Sequence, residues 1–321
     1  MKDFDVVGLG ALNVDHFFRV ERILEDGEAV TKGFARYAGG SAANTVHGLA
    51  RLGMSTGFIG AVGDDDDGRL LLRAFSRAGV DTSRVAVKPR AGTGSVLCLS
   101  DEAGGRALYV TPGANSLLAA GDVDISYLGR ARVLHLATFV GERQFEVSLE
   151  AVKNLPRGVE LSFGPGSLYA ARGMKALAPI LKKTSVLFIN HEELRTLTGR
   201  SLKAGASLLE RAGCRLVVVT LGAGVKLGPV NAVCYIRTGD REEVIEALTA
   251  KAGRRVDTTG AGDAFAAGHL FGMLKGKSPL VCGRLGYLVA LSAISKMGAR
   301  RGLPTLAQLS ARYQALYGEK L

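Results

Sequence analysis

Short apolar runs rich in β-branched residues recur along the chain: FDVVGLG, STGFIGAV, ARVLHLAT, GVELSFG, SVLFINH and CRLVVVTLG. Most end at glycine, asparagine or threonine, and amphipathic or Ala/Leu-rich stretches of helical character lie between many of them. Continuous apolar strands alternating with helices are the pattern of a mostly parallel sheet covered by helices, so the fold class expected is α/β. Two regions break the alternation. The segments from Asn13 to Tyr37 and from Arg90 to Thr111 read as short strands joined by glycine turns, and they predict a small antiparallel sheet outside the main layer. No low-complexity linker divides the chain. The expectation is one α/β domain over residues 1–321, carrying a strand-built lid from roughly 13–37 and 90–111.

Composition narrows the class. With 47% hydrophobic and 22% charged residues, 321 residues can bury an ample core. The start MKDFDVVGLG lacks the basic and long apolar segments of a signal peptide, and no apolar stretch reaches membrane-spanning length without a charge or a glycine cluster. A cytoplasmic protein with no membrane partner is therefore expected. Cys98, Cys214, Cys234 and Cys282 form no CxxC pair and read as buried thiols. The net charge of +11 raises nucleic acid as a partner, but the basic residues are dispersed. GARRG and AGRRV are short pairs without interleaved aromatics, so they read as solvated surface and no nucleic-acid partner is expected. Asp64 to Asp67 lack calcium-loop spacing and read as a solvated turn with a helix cap; the five histidines show no ligand spacing.

The candidate chemistry lies in DTTGAGDAFAAGHL, Asp257 to Leu270, where a carboxylate stands behind two glycines and before an apolar helical run. GLGALN is not a GxGxxG fingerprint and no GxxxxGK[ST] occurs, which argues against a Rossmann dinucleotide site and a P-loop. Backbone amides of Gly260, Ala261 and Gly262, opening onto a helix start, would form a concavity for an anion such as phosphate. Asp263 cannot itself hold that phosphate, since two anions repel, but it can take a proton from an attacking hydroxyl. Other loops follow predicted strands: Asn13 and Asp15, the diglycine Gly39 and Gly40, Asn190 and Glu193, and Thr220 with Gly222. In doubly wound sheets such loops gather at the ligand.

AGGSAANTVHGLARLGMSTGFIGAVGDDDDG resembles the N-terminal signature of the ribokinase-like, PfkB-type carbohydrate kinases, and DTTGAGDAFAAGHL resembles their C-terminal one. The resemblance covers essentially the whole chain. It implies a β-lid over the acceptor and ATP-dependent transfer of a phosphoryl group to a hydroxyl of a small sugar or nucleoside. By position, Asp263 is similar to the family's general base, and Gly260, Ala261 and Gly262 to its anion hole. Asn13, Asp15, Gly39, Gly40 and Asn44 match acceptor-binding positions. Asn190 and Glu193 match an NxxE element that positions Mg2+ and phosphates through water. Thr220 and Gly222 match nucleotide contacts, and Asp257 with Thr259 the monovalent-cation loop of some members, which leaves K+ open as an ion; a homodimer is left open as well. Three positions depart: TLGAGV is a residue shorter than TLGxxG, Ala137 stands where some ribokinases carry an acidic sugar contact, and Tyr287 where asparagine is common. A neutral polyol is expected over a phosphosugar, although Arg36, Arg90 and Arg106 in or beside the lid could grip a phosphate. The rival reading from another class is a catalytically silent sugar- or nucleotide-binding regulator.

Overall fold

The computed structural model describes residues 2–103, 105–248 and 255–321. Among them, thirteen strands fall into two sheets. In chain order they are β1 (Phe4–Leu9), β2 (Asn13–Arg19), β3 (Gly33–Gly39), β4 (Thr56–Gly63), β5 (Val80–Lys88), β6 (Gly94–Ser100), β7 (Arg106–Thr111), β8 (Ala131–Ala137), β9 (Glu160–Gly164), β10 (Thr184–Asn190), β11 (Leu216–Leu227), β12 (Val230–Thr238) and β13 (Arg241–Glu246). The larger sheet runs β13-β12-β11-β10-β9-β8-β1-β4-β5. It is parallel from β11 to β5, and β12 and β13 extend one edge antiparallel.

All six apolar runs lie in the parallel body, and they are apolar at consecutive positions because each strand feeds two cores. Val7, Leu134, Leu187 and Val217 point into one, while Val6, Val133, Val186 and Val218 point into the other. The second core is closed by the helix Ala261–Leu274, which is apolar all round because it is covered by β10, by the helix Pro279–Ala293 and by α1 (Ser41–Arg51). The order of strands reverses at β1 and β8: the chain first builds outward through β4 and β5, then returns to β8 and builds the other way. Ligand crevices form beyond the carboxyl ends of strands at such a reversal. Ala137 pairs with Gly164 and Asn190 with Thr220 at those ends.

The smaller sheet, β3-β2-β6-β7, is the expected lid, with one correction. Its two hairpins are antiparallel, but β2 and β6 join them in parallel, with Asn13 opposite Gly94. Both strands leave the main body at the same end, and this forces them to run the same way. The aspartate run is also more than a solvated turn. Asp65 caps α2 (Asp66–Ala78) through Gly68 N at 2.7 Å and also accepts from Thr93 N at 2.7 Å and Thr93 Oγ1 at 2.6 Å. Asp67 accepts from the Arg36 guanidinium at 2.9 Å and lies 2.8 Å from the His16 Nε2, so the run ties the lid to α2. Asp64 and Asp66 stay exposed and hold Arg69. All four cysteines are buried. No helix among the described residues is long and apolar enough to cross a membrane.

Candidate active site

Asp263 is the third residue of the helix Ala261–Leu274, whose N-cap, Gly260, has φ 72°. A Cβ at Gly260 would lie 2.5 Å from the Ala299 Cβ, so the turn needs glycine for both conformation and space. The first amides of a helix have no acceptor within it. Here the Ala261 N–H donates to the Thr258 carbonyl at 3.2 Å, so of the three amides read as an anion turn that one is already held. Gly262 lies at the mouth and lines the two cavities described below.

The Asp263 carboxylate is gripped from α1. Ser41 Oγ donates to Oδ1 at 2.7 Å and Asn44 Nδ2 to Oδ2 at 2.9 Å. Burial raises its proton affinity above the ordinary aspartate range, while those two donors and the Arg300 charge pull the other way. α1 can deliver Ser41 and Asn44 because Gly40 caps it at φ 96°, where a Cβ would lie 2.2 Å from the Ala11 carbonyl oxygen. Asp15, on β2, is buried and its pKa is pushed up to about 7 by desolvation; Arg300 opposes this, and Asp263 and Asp257 add to it. Asn13 accepts from the Asn115 amide at 2.9 Å, and Asn115 also brackets Leu12 through its N–H and carbonyl. Gly39 closes β3 beside Asp15.

Arg300 corrects the reading of GARRG as solvated surface. It is only 9% exposed, donates from Nε to Asn44 Oδ1 at 2.8 Å, and from Nη2 to the Gly39 carbonyl at 2.8 Å. Of the other pair, AGRRV, Arg254 lies outside the described residues, while Arg255 lines the second cavity.

Two cavities flank the start of the Asp263 helix. The polar one has Ser41, His135, Asn190, Glu193, Gly262 and Asp263 on its walls. Asn190 and Glu193 form a capping box: Glu193 N–H donates to Asn190 Oδ1 at 2.8 Å and Asn190 N–H to Glu193 Oε2 at 3.0 Å. Burial, with the Asp263 charge adding to it, raises Glu193 above the usual carboxylate range, while the Asn190 hydrogen bonds pull the other way. His135 is buried against Ser162 Oγ at 2.8 Å, and desolvation alone lowers its pKa to about 4, so it is neutral. The second cavity, about 380 Å3, is mostly apolar and includes Thr220, Gly222, Tyr287, Leu291 and Ile294. TLGAGV does not form a loop there: β11 runs on to Leu227 with a register shift between Thr220 and Val225. Between those two pairs β11 carries more residues than β12, and they bulge out of the ladder. Asp257 acts as a staple, accepting from Thr259 N at 3.0 Å, Thr259 Oγ1 at 2.7 Å and Gly298 N at 2.9 Å.

A model of the pfkB family carbohydrate kinases matches residues 3–306. The chain belongs to that family. This pfkB-family protein is a phosphotransferase with an alcohol group as acceptor, of the sugar kinase kind. It is 39% identical over 258 residues to a sugar kinase of Archaeoglobus fulgidus, covering 80% of this chain and 98% of that one. It is 33% identical to an ATP-dependent ribose-1-phosphate kinase of Halopiger xanaduensis, covering 83% of each. The ribokinase of Arabidopsis thaliana, solved with ribose and ATP, has the same fold, with a TM-score of 0.83 at 24% identity over 95% of this chain and 97% of that one.

Sequence reasoning missed Ser41, Asn115, Arg300 and the lid latch. Ser41 carried a signal, since it opens a helix directly after the diglycine. Asn115 and Arg300 carried none, because their partners lie 102 and 256 residues away.

Proposed function

We propose that this kinase transfers the γ-phosphoryl group of ATP to a hydroxyl of a small neutral polyol, with Asp263 as general base. The observation that carries the reading is the setting of the Asp263 carboxylate. It is buried at a helix N-terminus, oriented by Ser41 and Asn44, and lies on the wall of a cavity shared with Glu193 and Gly262. Desolvation raises its proton affinity, which suits a base, and its two donors keep it oriented. The turn Gly260, Ala261, Gly262 and the helix dipole behind it supply the concavity in which phosphoryl charge develops.

Asn13, Asp15, Gly39, Gly40 and Asn44 offer carboxylate, amide and main-chain groups to neighbouring hydroxyls. A phosphorylated acceptor would meet two carboxyl groups, Asp15 and Asp263, against the single cation Arg300, so an uncharged acceptor suits the region better. Arg36, a candidate phosphate grip, is instead bonded to Asp67. The Arg106 side chain lies outside the described residues. The apolar cavity with Thr220, Gly222 and Tyr287 suits a nucleotide base, with Asn190 toward its phosphates.

The residues present fit Mg2+. Glu193 and Asn190 line the cavity and bring the hard oxygen donors that this ion prefers. Glu193 and Asn190 would hold it through water, and the ion would neutralise phosphate charge. A K+ ion at the turn Asp257 to Thr259 would use main-chain carbonyls, since both Asp257 oxygens already accept hydrogen bonds.

The test is ADP formation across pentoses, hexoses, inositol, phosphosugars and nucleosides, with and without Asp263→Asn. That variant is expected to fold and bind both substrates while turning over at least ~100-fold more slowly. Near-normal turnover by the variant would remove Asp263 from the role of base. A preference of the wild type for phosphorylated acceptors would overturn the neutral polyol.

A further inference from the structure

We infer that Arg300 is a positioning residue for phosphoryl transfer: its guanidinium holds Asn44 in the one orientation that lets the Asn44 amide donate to Asp263, and its buried charge is the counter-charge of Asp15 and Asp263. The inference rests on the reading of Asp263 as the base.

An asparagine side chain has an acceptor end and a donor end, and nothing in its shape decides which way it faces. A guanidinium can only donate. The bond from Arg300 Nε to Asn44 therefore demands the amide oxygen, at 2.8 Å, and turns Nδ2 toward Asp263 Oδ2, at 2.9 Å. The second bond, from Nη2 to the Gly39 carbonyl at 2.8 Å, anchors the guanidinium plane to the end of lid strand β3. One side chain thus connects the loop after the helix Pro279–Ala293, the lid and α1 to the base.

The setting is expensive for a merely structural residue. Arg300 is buried, makes no contact ion pair among the described residues, and its Nη1 has no hydrogen-bond partner. An arginine in such a place costs desolvation that an apolar side chain packed on Phe75, whose ring centre lies 5.2 Å from the guanidinium carbon, would avoid. Its charge, held in no contact ion pair, instead acts at short range in a poorly screened interior. The groups that feel it come from each element around it: Asp15 on β2, Asp263 on its helix, and His47 on α1. His47 adds no charge, because burial first, then Arg300 and Arg51, lower its pKa to about 3. His16 and Asp257 act on Asp15 as lesser neighbours. Burial draws Arg300 itself down to about 10, with Asp15 and Asp263 opposing, so it remains charged at neutral pH.

The experiment pairs Arg300→Met and Arg300→Lys, in the full chain, with two readouts. The first is a 13C NMR titration of the Asp263 carboxyl without ligands, its resonance assigned by its loss in Asp263→Asn. The midpoint is expected to move up by at least about one pH unit in Arg300→Met and by much less in Arg300→Lys, which keeps the charge. The second is kcat against pH for the acceptor found in the screen. Arg300→Met is expected to lose at least ~30-fold in kcat with its acid limb displaced upward, and Arg300→Lys ~10-fold without that displacement, because an ammonium cannot make both directional bonds. Adding Asn44→Ala to Arg300→Met is expected to cost less than ~3-fold further, since the arginine acts through Asn44. An unmoved midpoint in folded Arg300→Met, or losses in the double variant that multiply, would overturn the proposal. If Arg300→Met does not fold, an Arg300→Lys with wild-type kcat overturns it and a ~10-fold loss supports it. The titration needs no turnover, so it decides the counter-charge even if Asp263→Asn proves active and the base assignment fails.

Discussion

Asp15 and Asp263 are carboxylates that burial makes harder to ionise, and the consequence for pH follows from the sign. Each binds its proton more tightly folded than unfolded, so each contributes stability that is present below the ordinary aspartate value and is lost as pH rises through the folded value. For Asp15 that loss extends to about 7. Thermal melting of the ligand-free protein should therefore occur at falling temperature from pH 5 to 7, and Asp15→Asn should flatten the slope; an unchanged slope would rule the residue out. Catalysis has the opposite sign, since a base must be ionised. The acid limb of kcat/KM should lie above the ordinary aspartate value of about 3.9, as steady-state rates against pH will reveal. Asp263 could be read from sequence because its glycines and its helix are contiguous with it. Arg300 could not, because a pair of arginines looks alike in solvent and in a core.

At the scale of elements, α2 is where the aspartate run acquires its purpose. Burial alone would raise Asp65, but donors from Thr93 and Gly68 outweigh it and hold the carboxyl below its usual range. Asp65→Ala should remove a helix cap and the anchor of the strand into β6, destabilising the fold by about 1–2 kcal/mol in urea titrations. Asp67→Asn should leave the fold intact while loosening the lid, because it weakens the bonds to His16 and Arg36. Its signature should be faster hydrogen exchange in β2 and β3 and a raised KM for the acceptor, with kcat at saturation little changed. A variant with wild-type exchange would show that the latch contributes nothing to lid closure. The helix Ala261–Leu274 offers a sharper case, because Gly260→Ala must place a Cβ against Ala299 at a left-handed φ. A stability loss of more than ~1 kcal/mol is expected, measured by denaturant unfolding.

On the scale of the whole molecule, the lid brings Asn13 and Asp15 on β2 and Gly39 on β3 to the side of the body that carries Asp263 on its helix. Closure over substrate should exclude water, so that ATP is spent on transfer rather than hydrolysis. Amide exchange in both lid hairpins should slow when acceptor and a nonhydrolysable nucleotide are added together; unchanged protection would argue that the sheet is a fixed wall.

The division between sequence and tertiary structure runs along distance in the chain. Six parallel strands, the two lid segments, the GAGD turn and the helix behind it were determined by the sequence alone, because each depends on neighbours a few residues away: apolar runs, glycine conformations, a helix start. What only the tertiary structure decided are relations between distant residues. The parallel β2/β6 contact follows from where two hairpins leave the body. The bulge within TLGAGV depends on pairing with β12, and the latch on Asp67 meeting β2 and β3. The bond from Arg300 to Asn44, 256 residues away, forms only because the fold takes the guanidinium out of water and leaves the Asn44 oxygen and the Gly39 carbonyl to accept from it.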